Sequence, residues 1–103
     1  HRDTLDEKTG MFFLFPKEAI HNFWMKNTLI LLDIIWINKD KRVVYIKHSA
    51  QPCKTSLCPL IIPNTEASYV LEINGGLARK YNIKEGQPVH FLALSDDFFD
   101  DVE

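Results

Sequence analysis

Residues 29–37 read LILLDIIWI, nine residues of aliphatic and β-branched types with a single carboxylate in the middle. Apolar side chains fall on both parities of this run. An extended segment of that kind has no face it can show to water. The run therefore predicts a central buried strand, and the rest of the chain has to supply a layer for each of its faces.

Elsewhere the apolar residues come in short runs cut by turn residues, not at helical spacing over a long window. That is an all-β pattern. Residues 11–15 (MFFLF) form a strand that Pro16 is expected to close, and 22–25 form a second short extended piece. A polar turn at 38–41 (NKDK) joins the central strand to 42–46 as a hairpin. From 49 to 67 the pattern stops. This stretch holds Pro52, Cys53, Cys58, Pro59 and Pro63, and a loop of that length in a small domain is usually functional or pinned. Residues 68–73 resume as a strand, Asn74-Gly75-Gly76 ends it, 77–81 make one or two helical turns, and 89–94 form the last strand.

At 103 residues the chain holds one domain, expected over 1–94. Residues 95–103 (SDDFFDDVE) carry five acids and no base, which reads as a solvated tail. The net charge of −2 leaves the remaining body at only +3, with its bases scattered. A nucleic-acid partner wants basic residues in a stripe, so none is expected. No apolar run approaches the ~20 residues of a spanning helix. No basic segment followed by an apolar stretch marks a signal peptide, and this does not place the protein in the cytosol.

Cys53 and Cys58, in PCKTSLCP, allow three readings. A local disulfide would close a six-residue ring, contribute about 2 kcal/mol, and imply an oxidising compartment. A metal site could add His48, giving H-x4-C-x4-C, but no fourth ligand follows. The third reading is two separate thiols or a redox switch.

Asp33 interrupts the most apolar strand. A buried carboxylate has to be paired or hydrogen-bonded, as a structural ion pair or turn anchor with Lys26 and the amide of Asn27 as candidate partners, unless it is a site carboxylate at a cavity mouth. Phe23-Trp24-Met25-Lys26-Asn27-Thr28 places an aromatic, a cation and an amide together. Trp24 and Lys26 share a face if the piece is extended. Such a group suits a sugar or small anion, while the plainer reading makes Trp24 a core residue with Lys26 lying over it. Glu72 lies mid-strand, where solvent is its ordinary environment; near Asp33 it would complete a carboxylate pair for acid–base work. The four histidines form no ligand grouping, and there is no nucleophile elbow or phosphate-binding glycine loop. An enzyme reading has no motif behind it.

Several strings resemble the DUF192 family (domain of unknown function 192). They are Gly10 with MFFLFP, then FWMKNT at 23–28, then Leu32-Asp33-Ile34-Ile35, then Ala50-Gln51-Pro52-Cys53 with Cys58 following. Tyr69-Val70-Leu71-Glu72, Gly76, Ala78, Ile83 and Gly86 continue the match in order and spacing, from about Arg2 to about Phe91. The resemblance implies a small β-rich barrel or two-sheet sandwich, often exported behind a signal peptide or lipoprotein signal. It implies no established activity, so it carries no catalytic residue. Its motif does carry over Trp24, Lys26, Asn27, Asp33 and Glu72. The chain departs from the family pattern in entering at Arg2 and Leu5, where family members usually have an opening strand and a short helical segment. It also has Leu31 where a proline is common. Lack of that strand would expose a sheet edge for self-association.

The sequence thus predicts a mainly β domain, a small β-barrel or two-sheet sandwich with one short helix. Its function reads as a non-enzymatic, extracytoplasmic (periplasmic or secreted) binding or accessory domain for a small polar ligand or protein. Candidate ligand-binding residues are Trp24, Lys26, Asn27, Asp33 and Glu72, with Cys53–Cys58 as the disulfide and neither metal nor cofactor expected. The alternatives are a small hydrolase using Asp33 and Glu72, and a redox or metal protein using the C-x4-C loop.

Overall fold

A computed structural model describes residues 10–26 and 28–91. The acidic segment 95–103, the entry stretch with Arg2 and Leu5, and Asn27 lie outside the described residues. Four strands, β1 (Met11–Ala19), β2 (Leu32–Ile37), β3 (Val43–Ala50) and β4 (Ala67–Asn74), precede a short helix α1 (Leu77–Lys80). The strands make one antiparallel sheet in the order β1-β4-β2-β3.

The run at 29–37 behaves as its composition requires. Its strand is shorter than expected, starting at Leu32, but all six residues of β2 are buried and β2 lies inside the sheet. Leu32, Ile34 and Trp36 enter a core layer with Phe13, Met25 and Val70. Ile35 and Ile37 enter a second layer on the other face, with Val43, against which Tyr69, Leu71, Ile83 and Phe91 pack. Trp36 is fully buried, and its indole N–H donates to the carbonyl of His21 at 2.8 Å. This bond ties the segment after β1 to the core, as a buried tryptophan N–H requires a partner.

The β-rich class and the single short helix are as expected. The described strands form an open sheet, not a closed barrel or a second sheet. Pro16 does not end β1, which runs on to Ala19 with a register shift between Leu14 and Ala19. Among the described residues β1 is an edge strand, so the missing proline N–H breaks no inner ladder there. The 38–41 turn is built as read: Asn38 accepts from the amides of Asp40 and Arg42 through its side-chain oxygen, at 3.0 and 2.9 Å. The expected last strand is not formed over Val89–Phe91; Gln87 and Val89 instead bond to the 41–43 backbone, and Arg42 makes an isolated bridge to Pro88. Its remainder, 92–94, lies outside the described residues.

Candidate functional site

The 21–26 segment is held along the irregular loop by two isolated bridges. Phe23 and Ile61 exchange both backbone hydrogen bonds, at 3.0 and 2.6 Å, and Lys26 bridges to Cys53, whose N–H donates to the Met25 carbonyl at 3.1 Å. Cys53 and Cys58 form a disulfide, with Cα atoms 5.8 Å apart. The ring is local, and its strap to Met25 fixes where the loop lies. Bonding to each other also removes both thiolates from metal ligation, so the H-x4-C-x4-C reading is not built. His48 instead lines a separate cavity with Arg79, Asn82 and Lys84, and its buried Nδ1 has no partner among the described residues.

Trp24 and Lys26 do share a face. The Lys26 Nζ lies 5.3 Å from the Trp24 ring centroid. Trp24 is half exposed and so is not a core residue. Beside it opens a cleft of about 410 Å³. Phe13, Phe15, Phe23 and Trp24 supply aromatic walls, and Ile20, His21 and Asn22 line the rest with Glu72. His21 is stacked on Phe15 at 3.7 Å between centroids, and its Nε2 lies 3.0 Å from the Lys17 carbonyl.

Glu72 is buried in this cleft and not on the solvent face, only 7% exposed. The reason is register. Glu72 pairs with Ile34 of β2 and with Met11 of β1, so it shares the face of the larger core layer.

Asp33 pairs with Ile73, the residue next to Glu72. Adjacent strand residues point to opposite faces, so Asp33 and Glu72 are separated by the sheet and form no catalytic pair. Asp33 is fully buried. Among the described residues its partners are backbone amides, not Lys26; Asn27 lies outside the described residues. Oδ1 accepts from Ser49 N–H at 2.8 Å, and Oδ2 accepts from Gly76 and Ala78 N–H at 3.1 and 2.8 Å. Asp33 is thus a cap for α1 delivered from β2. Of the sequence candidates, the fold brings Trp24 into one cleft with Glu72, sets Lys26 over Trp24, and sends Asp33 to the other side. Sequence reasoning missed His21 and Asn22 in the cleft. Their signal was position alone, directly before the FWMKNT string.

Among the described residues no group of three metal-ligating side chains occurs, and no helix is long and apolar enough to cross a membrane.

The DUF192 family, described as "Uncharacterized ACR", matches residues 1–91. None of the curated proteins matches the chain. Two crystal structures are similar. One is a protein of unknown function from Novosphingobium aromaticivorans DSM 12444, 39% identical, TM-score 0.80, over 87% of this chain and 62% of that one. The other is a Sinorhizobium meliloti 1021 protein described provisionally as a transcription regulator, 28% identical, TM-score 0.78, over 85% of this chain and 66% of that one. The chain spans less than two thirds of either protein's length.

Proposed function

The chain belongs to the DUF192 family, and from that premise we propose that it is a non-enzymatic, extracytoplasmic binding or accessory domain whose cleft takes a small polar ligand. The observation that carries this reading is the placement of Glu72 in a ring-walled cleft next to the half-exposed Trp24 and its stacked Lys26. A few polar groups among aromatic walls is the ordinary make-up of a small-ligand site. A sugar-like polyol fits that chemistry. Its C–H face can lie on an indole, and its hydroxyls can donate to a carboxylate and to the amide oxygen of Asn22.

Two observations support the other parts of the reading. The carboxylate-pair hydrolase reading needs a second carboxylate within reach of Glu72, and Asp33 is committed to backbone amides on the opposite face. The Cys53–Cys58 disulfide suits an oxidising compartment. The description of the Sinorhizobium protein raises a nucleic-acid partner, which the scattered bases of the weakly charged body disfavour.

The test is protein-observed NMR with a panel of neutral mono- and disaccharides. The expected result is saturable shifts at the Trp24 indole and the amides of 20–24, lost in Trp24→Ala. Absence of shifts across the panel, or shifts confined to the His48 cavity, would overturn the reading.

A further inference from the structure

The bridge between Phe23 and Ile61 sorts its neighbours by face. Phe23 and Ile61 turn inward onto the larger core layer. In an antiparallel pair the flanking residues then turn outward together. Trp24 thus stands opposite Leu60, and Asn22 opposite Ile62. Their exposures agree with this: Trp24 51%, Leu60 54% and Ile62 58%. Leu57, between the two cysteines, is 87% exposed. The ring that carries Leu57 is tied to Met25, next to Trp24, so these large apolar residues are exposed in one neighbourhood, which calls for a contact.

The two segments that form this face carry charges of one sign. Lys54 is the sole charged residue across 49–65, and Lys26 the sole one across 20–32. Both are exposed. The shape is also informative. A leucine that is 87% exposed projects from the surface; it does not wall a groove. A projecting apolar tip can enter a fluid bilayer without a matching pocket. Tryptophan at the rim and lysines beside it are the residue types of a membrane interface. The disulfide and the bridge to Met25 hold the tip in shape beforehand, so contact orders little additional chain.

We propose that the face formed by Trp24, Leu57, Leu60 and Ile62, with Lys26 and Lys54, is a docking surface for an anionic phospholipid bilayer. The apolar tip enters the headgroup boundary, and the two lysines meet lipid phosphates. This proposal does not depend on the ligand reading of the cleft.

The test is co-sedimentation of the full chain with phosphatidylglycerol–phosphatidylcholine vesicles, against phosphatidylcholine vesicles alone. Binding is expected to the anionic vesicles and to weaken with added salt. The double variant Leu57→Ser, Leu60→Ser should weaken it about tenfold or more, since two exposed side chains lose their transfer into lipid. Both leucines are exposed, so the melting temperature should hold. If that variant misfolds, Lys26→Gln with Lys54→Gln should also lower anionic binding. Brominated lipid should quench Trp24, leaving the sealed Trp36 bright. Absence of vesicle binding, equal binding to neutral vesicles, or binding that survives the variants would overturn the proposal. Self-association lost in the leucine variant, without vesicle binding, would assign the face to a protein contact and overturn it equally.

Discussion

The Oδ2 of Asp33 accepts the backbone N–H of Ala78 at 2.8 Å, joining residues 45 positions apart. With Gly76 and Ser49 donating as well, one carboxylate fixes the end of β3 and the start of α1 relative to β2. Gly76, at the start of α1, has no side chain to offer as a cap. Asp33 provides that service from across the sheet, which accounts for a charged residue at the centre of an apolar run.

Asp33→Ala should destabilise the domain by about 3–5 kcal/mol. The change leaves three backbone donors without their acceptor and opens space in the sheet. Asp33→Asn should cost less, about 2 kcal/mol, because the shape and one acceptor remain. Urea denaturation measures both. Neither variant should alter ligand shifts in the cleft, which lies on the opposite face. Lost ligand response in folded Asp33→Asn would return Asp33 to the site.

Gly75→Ala tests the turn that leads to this cap. A Cβ at Gly75 would lie 2.8 Å from the Leu31 Cβ and 3.3 Å from Leu31 backbone atoms. The Gly75 N–H also donates to the Leu31 carbonyl at 3.0 Å, so the two segments cannot part freely. The expected cost is about 1–3 kcal/mol, read from the thermal midpoint. At Gly76 the space is open but φ is +94°, so Gly76→Ala should cost about 1 kcal/mol through backbone strain alone.

Reduction of Cys53–Cys58 should cost about 2 kcal/mol by the chain-entropy estimate for so short a ring. The sheet should survive, since none of its four strands lies within the ring. Intact mass should rise by about 2 Da on reduction. Amide exchange should quicken at Cys53 and Ile61, which are bonded to the 21–26 segment. Exchange unchanged at both sites would show that the two bridges alone hold the loop.

The legible parts of the fold were those fixed by local chemistry. Residues 29–37 announced a buried strand by having no polar face, and Asn38 announced its turn by a side chain that can accept backbone amides. The paired cysteines were readable as a ring, though not as the only reading. Illegible were features set by register between distant segments. Whether Glu72 faces water depends on its pairing with Ile34 and Met11, and local alternation cannot supply that. The same register parts Asp33 from Glu72, whose separation no sequence pattern sets. That Asp33 anchors a turn is open to the sequence, but which amides it holds is not, because backbone amides leave no trace in a list of side chains. Pro16 was misread because its cost depends on edge position, which follows from strand order.

That edge carries the last prediction. Among the described residues, β1 pairs only with β4 and leaves its other side without a strand. Past Leu14 the register shifts and Pro16 removes an amide, which blunts pairing there. Before that point, Met11–Leu14 keeps regular register, and Leu14 is 38% exposed. A second copy could add a strand along this short stretch. Self-association of the 103-residue chain should therefore rise with concentration in light scattering and fall in Leu14→Lys. A lysine there adds like charge across a two-fold contact and is a residue type that protects natural edges. Leu14 is half out of the core, so the variant should melt within about 1 kcal/mol of the parent. A monomer mass at every concentration would mean that this edge is closed, and the self-association reading would be dropped.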